Sequence, residues 1–217
     1  MEPEKFSRTL LKRLPLYLNY LKSIPESCTN VSATTIARGL GLGDVQVRKD
    51  LAKVSDVGRR RTGRSREQLI HDIEQYLDFA TATGTIIVGA GKLGQALLDY
   101  SGFEENGLNV MAAFDTQPSA KLSDSGKAIY PMSRLESFCK CYDVRIGIIS
   151  VPAEHAQGVA DAMIACGIRA IWNFAPVHLK VPSHVMVQSE NLAVSLTALR
   201  VQLRNMETHI HPETMAS

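Results

Sequence analysis

Long apolar runs are missing from this 217-residue chain, and so are the marks of a secreted protein. No stretch is long and apolar enough to cross a bilayer. The opening MEPEKFSRTLLKRLPLYLNYL alternates charged and apolar residues and ends in no small-residue cleavage site, so no membrane anchor or secretory signal is expected. Cysteine is scarce: Cys28, Cys139, Cys141 and Cys166 are too few for a disulfide framework in a chain this long. Cys139-Lys140-Cys141 lacks a second ligand pair, and His209 and His211 alone make no site, so no metal is expected. These absences point to a cytoplasmic protein. Aromatics are also few, and none is interleaved with the basic residues, which argues against a stacking platform for single-stranded nucleic acid.

Net charge is only +2, but it is unevenly spread. Residues 1–66 carry 14 Lys and Arg against 6 Asp and Glu, whereas residues 67–217 carry 10 against 16. A basic head on an acidic body suggests that only the head meets a polyanion.

Within the head, residues 5–22 read as an amphipathic helix, with Leu10, Leu11, Leu14, Leu18 and Leu21 at helical spacing and Pro15 as a kink or a helix start. Ser32 is a candidate N-cap for a second helix, which Gly41-Leu42-Gly43 breaks. Asp44 caps a third, with Val45, Val47, Leu51 and Val54 as candidates for its buried side. Helix, glycine turn and helix make a helix-turn-helix plan whose last helix is the recognition helix. Gln46, Arg48, Lys49 and Lys53 are suited to phosphates or base edges, and Asp50 among them either to orienting an arginine or to keeping phosphate away from that face. Arg59, Arg60 and Arg61 stand between Gly58 and Gly63, with Arg64 just beyond, as the wing of a winged helix. A solvated basic loop on a three-helix packing module explains the same residues without DNA. Residues 65–79 form a helix, with Leu69, Ile73, Tyr76 and Leu77 on one face, that connects head and body.

The periodicity then changes. Thr85 to Val88 is a buried strand, followed at once by Gly89-Ala90-Gly91-Lys92-Leu93-Gly94 and a helix. In this setting Gly89 serves the tight turn, Gly91 lets the backbone approach a pyrophosphate, and Gly94 allows close helix–strand packing. The helix N-terminus offers free N–H groups to a diphosphate. The next strand, Asn109 to Phe114, ends in Asp115, 21 residues past Gly94. A carboxylate there accepts from ribose hydroxyls and repels a 2′-phosphate, which favours NAD(H). Coenzyme A, another nucleotide or no ligand remain alternatives.

Further strands at Ala128–Tyr130, Arg145–Ser150, Ala170–Phe174 and His184–Val187 alternate with helices at Met132–Cys141 and Ala153–Cys166. That is an α/β fold with a mostly parallel Rossmann-type sheet. Val151-Pro152-Ala153 and Asn173-Phe174-Ala175-Pro176 stand at strand ends, where they are candidate nicotinamide-side contacts or simply strand-to-turn chemistry. Asn191 to Met206 is amphipathic through Leu192, Leu196, Leu199 and Leu203, a candidate dimer helix that could also pack on its own body. The expected division is 1–80 for the winged helix and connecting helix, 81–190 for the Rossmann domain and 191–207 for the dimerisation helix. His155 and His178 are the available bases, but no catalytic arrangement stands out and no substrate domain follows Asp115, so an enzyme is not expected.

Several ordered segments together resemble the redox-sensing transcriptional repressors of the Rex family. They are Lys12 to Tyr17, Gln46 to Leu51, Val88 to Gly94, Tyr100 to Phe103, Ala113 to Asp115, Val151 to Ala153 and Asn173 to Val177. The resemblance implies a homodimer with swapped C-terminal helices that binds double-stranded operator DNA and leaves it when NADH binds. It places Arg48 and Lys49 on the recognition helix, Tyr100 and Phe103 near the nicotinamide, and Arg13, Tyr100 and Asn191 in a switch across the dimer. The chain departs from the family in three places. Lys53 to Gly58 and Arg59 to Arg64 replace an aromatic run and a differently composed wing. Asn191 stands where the family has an aspartate, and Leu199 to Gln202 replaces a more aromatic end. The alternatives are an NAD-dependent oxidoreductase, or a nucleotide-regulated protein whose head meets a partner other than DNA.

Overall fold

The computed structural model describes residues 7–55, 64–78 and 83–210. The chain divides into two compact units, Met1–Ala82 and Thr83–Ser217, the head and the body.

In the head, α1 (Arg8–Ser23) buries Leu10, Leu14, Tyr17, Leu18 and Leu21, each 2% exposed or less. The helix neither starts nor breaks at Pro15. Proline removes one backbone hydrogen bond, but buried leucines on both sides of it hold both halves against the core of the head. Ser32 caps α2 (Ala33–Leu40) as expected, its Oγ accepting from the Thr35 N–H at 3.0 Å. Gly41 ends that helix at φ +64°, a left-handed conformation that costs glycine nothing.

Helix α3 (Asp44–Val54) differs from expectation twice. Gly43 holds the cap position and Asp44 is the first helical residue; its carboxylate accepts from Thr34 Oγ1 at 2.8 Å and pairs with Arg48 one turn on. Val45, expected on the buried side, is 62% exposed, while Val47 and Leu51 are buried. Two residues turn an α-helix by about 200°, so Val45 and Val47 cannot share a face.

Strands β1 (Asn30–Val31) and β2 (Arg64–Ser65) pair antiparallel, Asn30 opposite Ser65, at the base of the expected wing. Arg59, Arg60 and Arg61 lie outside the described residues. Helix α4 (Arg66–Tyr76) is shorter than the 65–79 expected. Leu69 and Ile73 bury it in the core of the head, so it is the fourth helix of that unit.

The body contains β3 (Thr83–Val88), α5 (Lys92–Leu98), β4 (Leu108–Asp115), β5 (Ala128–Pro131), α6 (Leu135–Cys141), β6 (Val144–Ile149), α7 (Ala153–Ala165), β7 (Ala170–Asn173) and β8 (Met186–Ser189). The expected helix Met132–Cys141 splits into a 3-10 turn, Met132–Arg134, and α6, and the last strand starts two residues later than His184. The sheet order is β5-β4-β3-β6-β7-β8, and every pairing is parallel. Counted from β3, this is the 3-2-1-4-5-6 order of dinucleotide-binding domains. Ile86, Ile87 and Val88 are buried on both faces of the sheet, as expected for a central strand covered by helices on each side.

After the sheet comes α8 (Leu192–Ile210), opened by Asn191, whose Oδ1 accepts from the Val194 N–H at 3.1 Å. Leu192, Leu196, Leu199 and Leu203 are 54–68% exposed. Among the described residues, no helix is long and apolar enough to cross a membrane.

Candidate functional site

Strand order reverses between β3 and β6, and there the glycine turn meets the end of β6. The turn is built by contacts that leave no room for side chains. Gly89 has φ +102°, and a Cβ on it would lie 2.6 Å from the Ser150 carbonyl oxygen. A Cβ on Gly94 would lie 1.8 Å from the Gly89 carbonyl oxygen, so α5 packs directly on the turn. Gly91 is the contrast: a Cβ there meets nothing within 4 Å. Its missing side chain leaves open space above the turn, which is what a close-lying diphosphate needs. Two side chains fix the turn from outside, Ser150 Oγ donating to the Gly89 carbonyl at 2.8 Å and Gln95 Nε2 to the Ala90 carbonyl at 2.7 Å.

Asp115 ends β4 beside this turn. Its Oδ2 accepts from the Ala90 N–H at 2.7 Å and its Oδ1 from the Gln117 N–H at 3.0 Å. Burial opposes the charge, but the bonds from Gln117, Ala90 and Thr116 outweigh it and hold the carboxyl below the usual carboxylate range. The group is therefore ionised at neutral pH and repels a 2′-phosphate.

A cleft of about 320 Å³ opens here, lined on the turn side by Gly89, Gly91 and Asp115, and on the far side by Val151, Pro152 and His155. Five of the predicted cofactor residues thus share one cavity: Gly89, Gly91, Asp115, Val151 and Pro152. Ala90 touches Asp115, Lys92 and Leu93 open α5, and Gly94 is buried beneath the turn. Asn173 is fully buried, and its amide is spent on its own loop, donating to the Val177 carbonyl at 2.9 Å and accepting from the Ala175 N–H at 3.0 Å. It shapes the loop that follows β7.

An aromatic chain crosses the other side of the sheet. Tyr100 meets Phe103 edge-on at 5.0 Å, Phe103 meets Trp172 at 6.0 Å, and Trp172 meets Phe174 at 4.5 Å. Gly102 lets the Tyr100 ring lie close, because a Cβ there would come within 2.6 Å of it. Phe103, Trp172 and Phe174 all pack on the core under α5, and Tyr100 stays 58% exposed.

In the head, the central group is Asp50, 2% exposed on α3. Arg13 binds it through Nε at 2.6 Å and Nη2 at 2.9 Å, Tyr17 Oη donates at 2.7 Å, and Gln46 Nε2 donates at 2.8 Å. Burial raises the cost of the charge, but these bonds, Arg13's first, keep the Asp50 carboxyl below its ordinary range. Burial and Asp50 push the Tyr17 phenol up to about 12, so it remains a donor. The network locks α3 to α1. It also turns Gln46, a predicted DNA contact, toward the core-side carboxylate. Arg48, Lys49 and Lys53 are exposed on the opposite face, while Arg64 is half-buried and donates to the Ser55 carbonyl at 3.5 Å.

Relatives of known name cover nearly all of the chain. The redox-sensing transcriptional repressor Rex of Porphyromonas gingivalis is 37% identical over 204 residues, 93% of this chain and 94% of that protein. The same-named protein of Pelotomaculum thermopropionicum is 37% identical over 212 residues, 96% and 99% of the two chains. This chain belongs to the Rex family. The Rex-family repressor RSP, solved with β-NAD⁺ and operator DNA, matches with a TM-score of 0.85 at 30% identity, over 99% of this chain and 100% of that one. RSP solved with β-NADH matches with a TM-score of 0.83 over 97% and 100%. Two family models match as well, one described as "CoA binding domain" over residues 80–177 and one as "Putative DNA-binding protein N-terminus" over residues 5–52.

A Rex chain is a transcriptional repressor and not a dehydrogenase, which removes the oxidoreductase alternative. His155 lines the Asp115 cleft, but there it is a wall residue. Sequence reasoning missed Ser150, Gln95, Thr116, Met132 and Trp172 at the Rex body's site. Trp172 had a signal: it is the single tryptophan of the chain and sits directly before the predicted Asn173-Phe174 pair. Ser150 had none, because its partner Gly89 lies 61 positions away.

Proposed function

We propose that this chain is a homodimeric repressor that binds double-stranded operator DNA through α3 and the wing and releases it when NADH occupies the body. The observation that carries the proposal is the match to RSP bound to both β-NAD⁺ and operator DNA, which spans both units at once. The built turn and cleft support the dinucleotide half of the reading. Gly89 to Gly94 hold the diphosphate, Asp115 exchanges its Ala90 bond for ribose hydroxyls, and Val151 and Pro152 wall the cleft. Tyr100, Phe103 and Phe174 receive the nicotinamide end. Reduction removes the positive charge of the ring, so an apolar pocket at this end favours NADH. Arg48, Lys49, Lys53 and the wing arginines Arg59, Arg60, Arg61 and Arg64 supply the charge for DNA.

The exposed leucine stripe of α8 is the dimer element, exchanged between two copies of the chain. The switch involves Arg13, Tyr100 and Asn191. Asn191 lacks the charge of the family's aspartate, so its bonds across the dimer are weaker and the response to NADH is smaller. For a shift to occur at all, NADH must contact the two dimer arrangements differently.

The test is selection of bound sequences from random duplex DNA with NAD⁺, with NADH and with neither. The expected result is an enriched palindrome that NADH releases. Enrichment indifferent to NADH would overturn the sensing half, and no enrichment would overturn the DNA-binding half.

A further inference from the structure

Helix α3 has one large apolar residue, Val45, that stands exposed at 62%. At about 100° per residue, Val47, Asp50, Leu51 and Val54 share one face, and Val45, Arg48, Lys49, Ala52 and Lys53 share the opposite one. Burial follows that division: Val47, Asp50 and Leu51 are buried, whereas Val45, Arg48, Lys49, Ala52 and Lys53 are exposed. A lone exposed valine on a surface is ordinary. This one is set apart by its place, one turn before Lys49 on the outward stripe of the second helix of a helix-turn-helix.

The first-turn residues of such a helix are the ones that reach base edges. Here the two polar candidates are already engaged within the head. Asp44 accepts from Thr34 and pairs with Arg48, and Gln46 donates to Asp50. Val45 alone has no partner of its own. A branched apolar side chain makes no hydrogen bond, so the one base-edge feature it can read in the major groove is the C5 methyl of thymine.

We propose that Val45 reads a thymine methyl in each operator half-site, giving sequence preference by apolar contact while Arg48, Lys49 and Lys53 supply phosphate binding. The proposal rests on the DNA-binding reading above and deepens it. Deoxyuridine removes that methyl and leaves every hydrogen-bonding group of the base in place, so it isolates the contact.

The experiment uses the full chain and the palindrome selected from random duplex DNA, with each thymine replaced in turn by deoxyuridine. One thymine per half-site is expected to lose about fourfold in affinity on replacement, the worth of one buried methyl. Val45→Ala should bind the thymine and deoxyuridine duplexes equally at that position, with unchanged thermal unfolding because residue 45 is exposed. The proposal is overturned if the chain binds its palindrome but every replacement is neutral, or if Val45→Ala keeps the full penalty at every thymine. Failure to select any duplex would be a different result, removing the DNA-binding reading itself and this inference with it.

Discussion

In the head, Asp50 is held by three side chains, Arg13, Tyr17 and Gln46; in the body, Asp115 is held by the backbone N–H groups of Ala90 and Gln117. Both carboxyls lie below their ordinary range despite burial, so both are ionised at neutral pH. Their partners separate their tasks. Arg13 and Tyr17 come from α1, so through them Asp50 sets the position of α3 on α1. Backbone donors of a ligand turn pre-shape a cavity, and a ligand can replace them without unfolding anything. A DNA-facing helix needs a rigid mounting, whereas a dinucleotide site needs groups that can exchange partners.

Substitutions that separate the two regions sharpen this contrast. The largest effect is expected from Gly94→Ala, whose Cβ would meet the Gly89 carbonyl oxygen at 1.8 Å. It should cost the body more than about 4 kcal/mol, read by thermal unfolding followed through the Trp172 emission. Asp50→Ala comes next, because it strands Arg13 beside a buried helix face; a loss of about 3 kcal/mol and of operator affinity is expected. NADH binding, read at Trp172, should persist in that variant.

The same residue gives a pH prediction. Its folded pKa is depressed, so its contribution is complete above the unfolded value of about 3.9 and is lost as pH falls through the lower folded value. Acid unfolding of the wild-type head should therefore be steeper than that of Asp50→Asn, measured by circular dichroism below about pH 4.

Gly91→Ala tests the body without breaking it. Its Cβ has open space, so stability should stay within about 1 kcal/mol of wild type while NADH affinity falls about tenfold or more by calorimetry. Equal NADH affinity would show that the space above the turn is not where the diphosphate lies. The smallest effect is expected from Asn191→Asp, which keeps the α8 cap and adds a charge. It should enlarge the NADH-induced loss of operator binding a few-fold, and an unchanged response would remove Asn191 from the switch.

The body was the more legible unit, for a physical reason. Gly89, Gly91, Gly94 and Asp115 are tied to local backbone geometry, and the role proposed for each follows from a residue type at a fixed place in a strand–turn–helix–strand run. The Asp50 network joins residues 33 and 37 positions apart, and no spacing announces it. Asp50 could be recognised as a group suited to orienting an arginine, but the sequence did not say which one. Apolarity alone puts Val45 on the buried side, but angle puts it outside: 45 and 47 face opposite ways on any α-helix. The strand-end position of Asn173 fits a ligand contact and strand-to-turn chemistry alike, and spacing does not show that its amide is bonded within the following loop.

In the proposed repressor, one ligand site in the body and one DNA site in the head are energetically linked. The most direct test is to titrate NADH into the full chain with and without its selected operator duplex, following Trp172. Linkage is reciprocal, so if NADH weakens operator binding by some factor, the operator must weaken NADH binding by the same factor. That matched loss is the expected result. An NADH affinity that is the same with and without bound operator would contradict it.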